Sequence, residues 1–289
     1  MDARSIAATA ANGGKITPAT DIDYEYTPIE YEFDKSVYEK RVYYGFGKAD
    51  PETELILGPN ITSWPDQYEL SDNLLLELTA VIHDPVTTTD ELIPSGETSS
   101  LRSNPRRLAE FTLSRRVPEY VGLSKAVAAE EEARRGGNAS DSLMATLAKV
   151  GNAEELVKNT QFGSCVFANK PGDGSAREQA ASCQKVLGGF GNICYEFATK
   201  RYRSNCINWG IMPFTLDQST KFEYETGDCI FVGDIRNALM SGNEEFAAKV
   251  IRKSGEVEDL TLYVKGLTAE EKDILLAGCL MNHYKIKNN

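Results

Sequence analysis

The sequence is short of histidine, of net positive charge and of long apolar runs. Only His83 and His283 occur in its 289 residues. Two histidines nearly exclude a multi-histidine metal site, or a mechanism that needs a histidine base beside a second histidine. The formal net charge is −12, which repels phosphate backbones and anionic lipid surfaces. Nucleic acid and membrane surfaces are therefore not expected as partners.

Hydrophobic targeting and anchoring segments are also missing. No apolar run approaches the roughly 18 residues that a membrane span needs, and residues 1–4 show no apolar stretch of the signal-peptide kind. These features predict a cytoplasmic protein. The six cysteines form no Cys-x-x-Cys pair, so we expect reduced, mostly buried thiols and no metal site in this chain.

What is present is an ordinary globular composition, 41% apolar and 26% charged, and long enough for a domain plus a remnant of another. Residues 5–11 are predicted to form a short helix. The tyrosine-rich acidic stretch at 21–44 is predicted to be extended chain. We interpret residues 1 to about 60 as a remnant plus a linker.

After residue 60 the pattern alternates between strands and helices, which indicates an α/β domain. Strands are predicted at 74–82, 163–169, 193–197 and 260–264, and helices at 126–135, 142–150, 175–187, 201–209 and 268–284. Thr268 is the expected N-cap of the last helix. The charged run at 130–135 is interpreted as a solvated helix face.

The glycine turn, Gly-Asp-Gly-Ser-Ala-Arg-Glu at 172–178, is the strongest candidate site. Amides of a first helical turn point outward and favour anions. The two glycines let a ligand approach the main chain, and Arg177 adds donors that match a carboxylate or a phosphate. Because glycine turns before helices are common, the spacing alone leaves a purely structural turn as an alternative.

Several stretches resemble signatures of the aconitase family. Residues 172–181, Gly-Asp-Gly-Ser-Ala-Arg-Glu-Gln-Ala-Ala, with Leu-Gly-Gly at 187–189, are similar to the Gly-x-Gly-Ser-Ser-Arg-Glu-His-Ala and Leu-Gly-Gly signature of its C-terminal swivel domain. Residues 202–213 resemble its His-Arg-Ser-Asn-Leu-Ile-x-x-Gly-Ile-Leu-Pro segment, and 88–90 its Thr-Thr-Asp-His loop. These matches follow the family's order and cover most of residues 70–289.

The resemblance implies an α/β fold, a swivelling three-layer β/β/α domain of the aconitase C-terminal type, at 61–289. Residues 1–60 would be the end of the cluster-bearing region plus a linker. The implied activity is that of an aconitase-like hydratase, a hydro-lyase that reversibly dehydrates a hydroxy di- or tricarboxylate. Upstream cluster-bearing domains in cis, or a large subunit in trans, would be its partners. The complete enzyme would carry a 4Fe–4S cluster whose ligands are not in this chain, and we expect the isolated chain to be inactive.

The resemblance also implies roles for residues around the glycine turn. Ser175 would be the general base, its oxyanion stabilised by helix amides and Arg177. Arg177 would bind a substrate carboxylate, and Gly174 and Ala176 would line the substrate site. A structural ion pair stays open as an alternative for Arg177.

Three further residues are implied at the rim of this site. Arg102, twelve positions after Asp90, falls where the family has a substrate-binding arginine. Asp90 and Asn205 would have supporting roles. For Arg102 a structural ion pair, and for Asp90 a loop cap, are the alternatives.

Departures from the family pattern keep other functions open. Ala176 replaces the second serine of the signature, Gln179 replaces its histidine, and Glu91 replaces the histidine after Asp90. A non-catalytic relative that binds polycarboxylates, or acts as an interaction module, is therefore one alternative. A separate small subunit of an isopropylmalate-isomerase-like enzyme is another, and the long linker counts against it.

Overall fold

The computed structural model describes residues 1–23, 30–41 and 47–287, in two compact units, Met1–Leu55 and Ile56–Asn289. The first unit contains helices α1 (Ala3–Ala11) and α2 (Ser36–Arg41) and a 3-10 turn, Ala19–Asp21. Helix α1 confirms the prediction at 5–11. Helix α2 corrects the prediction of extended chain at 21–44, of which residues 24–29 and 42–44 lie outside the described residues.

The second unit interleaves strands and helices along the chain. Its strands are β1 (Asn73–Ile82), β2 (Thr87–Thr88), β3 (Thr160–Ala168), β4 (Pro171–Asp173), β5 (Gly189–Cys194), β6 (Met212–Thr215), β7 (Cys229–Val232), β8 (Glu245–Ile251) and β9 (Val257–Tyr263). Its helices are α3 (Thr89–Leu92), α4 (Pro105–Ala109), α5 (Tyr120–Arg135), α6 (Asp141–Leu147), α7 (Ala153–Asn159), α8 (Arg177–Val186), α9 (Lys200–Asn208), α10 (Ile235–Met240), α11 (Ala269–Leu276) and α12 (Leu280–Lys287).

Seven strands form one closed, barrel-like sheet in the order β1-β3-β5-β6-β9-β8-β7. Strands β1, β3, β5 and β6 are parallel neighbours, and the remaining pairs are antiparallel. Closure pairs the two outer strands, β1 and β7, so the sheet has no free edge. The mixed α/β class is confirmed, whereas the three-layer and swivelling descriptions remain predictions.

Strand β1 is apolar on both faces because both faces are covered by other parts of the domain. Leu74, Leu76 and Leu78 belong to one apolar cluster, while the intervening Leu75 packs in another with Val127 of α5. Successive side chains on a strand point to opposite faces, and helix α5 packs against β1 and β3. A strand that is covered on both faces reads as a continuous apolar run, which is why this strand was predictable.

The last predicted helix, 268–284, is wrong as a single element. Thr268 does cap α11, and its capping box with Glu271 is complete, but the chain breaks before α12. Gly278 lies at the break with φ +85°, and a Cβ there would lie 1.8 Å from the carbonyl oxygen of Tyr68. A tertiary contact that tolerates only glycine therefore interrupts the helix.

The charged run at 130–135 is only partly a solvated face, since Glu132 is exposed but Glu131 and Arg134 are buried. Glu131 is only 5% exposed, and its carboxylate lies 2.6 Å from Arg134 and 2.7 Å from Arg135. The amide of Phe162 on β3 donates to the same carboxylate at 2.9 Å. The run instead fixes α5 to the sheet through a buried ionic cluster.

The six cysteines are free and buried, as predicted. Burial raises the pKa of the Cys165 thiol far above its ordinary value. None of the helices in the described ranges is long and apolar enough to span a membrane.

Candidate functional site at the start of helix α8

The two-stranded sheet β2–β4 joins two of the predicted motifs. Thr88 pairs with Asp173 in a parallel arrangement. Gly174 follows with φ +129°, and a Cβ on it would lie 2.2 Å from the hydroxyl oxygen of Thr89. Only glycine allows this approach. The structure therefore brings the 88–90 loop against the glycine turn.

Helix α8 begins without a side-chain cap. Its N-cap residue is Ala176, whose methyl group cannot accept a hydrogen bond from the first-turn amides. Ser175, directly before it, is exposed. The first-turn amides at the positive end of the helix dipole thus have no side-chain acceptor, and Ser175 directly precedes this end in the chain. This arrangement suits an anion or a developing oxyanion.

Arg177 is held beside the turn by one hydrogen bond. Its Nε donates to the Thr199 hydroxyl oxygen at 3.2 Å, and that hydroxyl donates to the carbonyl of Gly172 at 3.2 Å. Thr199 also caps α9. Within the described ranges Arg177 has no ion pair, so the structural-pair alternative finds no support there. The terminal nitrogens of its guanidinium are left to bind an anion.

The two acidic residues of the loop beside the turn, Asp90 and Glu91, already have partners. Asp90 accepts a hydrogen bond from Arg115 at 2.6 Å, and Arg115 also pairs with Glu97. Glu91 accepts from the amide of Thr88 at 2.7 Å and completes the capping box of α3. The charge of Glu91 is therefore used to begin a helix, and that of Asp90 is balanced by a cation.

No hydrogen bond or ion pair among the described residues joins Arg102 or Asn205 to the turn. Arg102 is exposed and follows the 3-10 turn Ser99–Leu101. It precedes α4, and α4 packs against α8. Asn205 donates to the carbonyl of Arg201 in its own helix at 2.8 Å. Thus the structure brings the 88–90 loop against the turn at Gly174, Ser175, Ala176 and Arg177. Arg102 is connected to this region only through α4, the helix that follows it and packs against α8.

Sequence reasoning missed two residues of this region. Thr199 precedes α9 and could have been predicted as its N-cap, because threonine is favoured there. Its contact with Arg177 could not, since 22 residues separate them. Arg115 stands in an Arg-Arg pair with no local pattern that points to Asp90.

The cysteines of this chain do not fit the ligand set of an iron–sulfur cluster. Across the described part of the chain, no group of three or more cysteine, histidine or carboxylate side chains is placed to hold a metal. Four of the cysteines pack in three different hydrophobic clusters instead, with Cys165 in the cluster that contains Phe167 and Ile193. Thiolate ligation needs deprotonated sulfurs that converge on one point, which these residues do not provide.

Fold and site together define a mixed α/β domain in which an exposed serine and a guanidinium lie at an uncapped helix start. The chain is 34% identical over 134 residues to the 3-isopropylmalate dehydratase small subunit of Metallosphaera sedula, covering 45% of this chain and 71% of that protein. It is 32% identical over 132 residues to the corresponding subunit of Saccharolobus islandicus, covering 45% and 69%. The chain belongs to the aconitase family, and its similarity is consistent with the C-terminal swivel-like domain.

An Emericella nidulans protein, named provisionally as a mitochondrial aconitate hydratase, is 30% identical over 114 residues, which cover 38% of this chain and 14% of that protein. The crystal structure of 3-isopropylmalate dehydratase (LeuD) from Methanocaldococcus jannaschii aligns with a TM-score of 0.43 at 20% identity, covering 75% of this chain and 95% of that one. No family model matches the chain.

Proposed function

We propose that this chain is the swivel-domain part of an aconitase-like hydro-lyase that acts on a hydroxy di- or tricarboxylate. The observation that carries the proposal is the start of α8. There an exposed Ser175 stands before uncapped amides, and Arg177 is anchored through Nε alone. The arrangement can hold a carboxylate and also stabilise a serine oxyanion.

In this proposal Ser175 takes the proton next to a substrate carboxylate. A serine hydroxyl is a weak base in water, so its alkoxide must be stabilised. The α8 amides and the Arg177 guanidinium supply donors for that purpose without reorganisation. General-base catalysis of this kind contributes about 10²–10⁴ in rate.

The arginines orient the substrate. Arg177 would bind one carboxylate in the fork geometry that guanidinium and carboxylate share. Arg102 would bind a second carboxylate from the segment that leads into α4, and Gly174 and Ala176 would admit the substrate to the main chain. Fixed orientation beside the base is itself a large contribution to rate.

A 4Fe–4S cluster, when present in the complete enzyme, supplies the Lewis acid for the departing hydroxide. Its ligands would come from outside the described residues of this chain. The relatives named as small subunits favour a large subunit in trans as the partner, and cluster-bearing domains in cis are the alternative. In the second case residues 1–60 would be the end of that region plus the linker to the domain at 61–289.

A non-catalytic carboxylate-binding module is the second candidate function. Ala176 favours this function, because alanine stands where the family signature has its second serine. The hydroxyl of that serine is therefore absent from the start of α8. The same amides and Arg177 would then bind a polycarboxylate without turnover.

The test is hydratase turnover by the complete reading frame, with its partner and after iron–sulfur reconstitution, on a panel of hydroxy di- and tricarboxylates. We expect turnover that Ser175→Ala reduces by at least about 10². Ser142→Ala, an exposed serine on α6, is the matched control and should retain activity. Binding without turnover would favour the module, and undiminished turnover in Ser175→Ala would rule out the serine base.

A further inference from the structure

The segment 56–70, which we call the strap, runs along the second unit and is tied to both sides of the candidate site. We propose that Asn60, Thr62 and Trp64 are positioning residues that hold the Arg102 loop and the first turn of α8 in place. This role rests on the proposed function in so far as it concerns substrate affinity.

The strap fixes the main chain on either side of Arg102. Asn60 Nδ2 donates to the carbonyl of Ser100 at 2.9 Å, and the Thr62 amide donates to the carbonyl of Ser103 at 3.1 Å. Arg102 itself has no ion pair within the described ranges. Its approach to a ligand therefore depends on the backbone that carries it, which these two bonds restrain.

Thr62 also reaches the start of helix α4. Its hydroxyl donates to Asn104 Oδ1 at 3.1 Å, and the same oxygen accepts from the Arg107 amide at 3.1 Å as the N-cap of α4. Because α4 packs on α8, Thr62 links the Arg102 loop to the helix that carries the glycine turn.

A second set of contacts leads from the strap to α8. The ring centroids of Trp64 and Trp209 lie 4.5 Å apart. Trp209 Nε1 donates to a carboxylate oxygen of Glu178 at 3.1 Å, and Glu178 lies in the first turn of α8. Trp64 thus supports the indole that restrains this turn.

The far end of the strap is anchored to the C-terminal helices. The Leu70 amide donates to the carbonyl of Leu276 at 3.1 Å, and Asn282 Nδ2 donates to the carbonyl of Gln67 at 2.9 Å. The glycine between α11 and α12 gives the strap backbone room to pass. The strap is therefore fixed at one end and can restrain the site at the other.

Two pairs of variants of the full chain test this role. Thr62→Val removes the hydroxyl and Thr62→Ser retains it, while Trp64→Ala removes the ring and Trp64→Phe keeps an aromatic contact.

Hydrogen exchange of the Leu101 and Asn104 amides, which close the turns beside Arg102, reports the stability of the Arg102 loop. Because the chain has only two tryptophans, exciton coupling in circular dichroism reports the Trp64–Trp209 contact. Calorimetric titration with citrate, a tricarboxylate probe, reports the site.

We expect Thr62→Val to speed exchange of these two amides by about tenfold and to weaken citrate binding by about tenfold, because fixed orientation is lost. Thr62→Ser should restore both values. Trp64→Ala should abolish the exciton signal and weaken citrate binding, and Trp64→Phe should retain most of the affinity.

Unchanged exchange at Leu101 and Asn104 in Thr62→Val would overturn the proposal. Equal acceleration at Ala148, which follows α6 far along the chain, would also overturn it, because that result indicates general loosening. If the wild-type chain and its assembled enzyme bind no citrate or other polycarboxylate, the proposed function fails, and local exchange alone still decides whether the strap holds the loop.

Discussion

Two charged regions of this molecule, the C-terminal end of α5 and the start of α8, use their groups in opposite ways. At α5 the Glu131 carboxylate is buried and accepts hydrogen bonds from Arg134 and from the Phe162 amide. At α8 Ser175 is exposed, the first amides lack a cap, and Arg177 uses only Nε. In the first region the Glu131 carboxylate is paired inside the fold. In the second region the first amides of α8 and the terminal nitrogens of Arg177 have no partner among the described residues.

The comparison shows what distinguishes a binding site from a structural ion cluster. The run at 130–135 carries more charges than the glycine turn does. Most of these charges nevertheless serve the fold, because Glu130, Glu131 and Arg134 each have a partner on the same chain. Unused donors beside accessible main chain, rather than the number of charges, indicate the site.

The largest effect is expected where the paired cluster is broken. Glu131→Gln leaves two arginines without their carboxylate, and we expect it to lower the free energy of unfolding by about 3–5 kcal/mol. Urea denaturation would measure this change. Glu132→Gln, at an exposed neighbour, is the control and should change stability by less than about 0.5 kcal/mol. Equal effects of the two variants would contradict the conclusion that Glu131 belongs to a buried ionic cluster that stabilises the fold.

Lys185, near the other end of α8, differs from both regions because it is a buried amine with few partners. Its ammonium donates to the carbonyl of Gly210 at 3.3 Å and lies over the Phe190 ring. Burial lowers the pKa of Lys185 to about 7. At pH values between about 7 and the ordinary pKa of lysine, Lys185 is protonated in the unfolded chain and largely neutral in the folded chain. The free energy of unfolding therefore rises with pH over this interval.

We therefore expect the wild type to gain stability relative to Lys185→Met by about 1.4 kcal/mol per pH unit between roughly pH 7.5 and 9. Urea denaturation of both proteins at several pH values measures the difference. A difference that stays flat with pH would mean that Lys185 is charged in the folded protein.

Gly174→Ala is expected to have a smaller effect, of about 1–3 kcal/mol, because alanine is strained at φ +129° and its methyl would meet Thr89. Thermal unfolding would measure the loss of stability. Gly96→Ala is the matched control, since a Cβ there has open space. If Gly174→Ala were as stable as the control, the close approach of the two loops would be wrong.

Ala176→Ser should have the smallest effect. A serine at this N-cap offers an acceptor to the free amides and should stabilise the protein by about 0.5–1 kcal/mol. Ala126→Ser, at an exposed position inside α5, should instead be neutral or slightly destabilising. A loss of stability in Ala176→Ser would indicate that the first-turn amides are not available to an acceptor.

Local patterns were sufficient for the elements whose structure depends on local chemistry. Strand β1 follows from its continuous apolar run, and α11 begins at Thr268 because threonine and Glu271 complete a capping box. The glycine turn was predictable because two glycines and a serine precede a helix that begins with an arginine. These features depend mainly on residues that are close together in the sequence.

Features that depend on distant partners could not be predicted in this way. Burial of Glu131 depends on the amide of Phe162, 31 residues away. The break at Gly278 depends on the carbonyl of Tyr68, and closure of the sheet depends on pairing between β1 and β7. The ion pair of Asp90 with Arg115 is equally non-local, so the supporting residues of the site were the least predictable.

The most direct test of Ser175 as the general base is exchange of the substrate's carbon-bound proton with D₂O, catalysed by the complete, reconstituted enzyme and followed by NMR. This exchange reports the step assigned to Ser175 without requiring product release. The account predicts that Ser175→Ala slows exchange by at least about 10² while Ser142→Ala leaves it unchanged. Exchange at the wild-type rate in Ser175→Ala would contradict the account, because another group would then be the base.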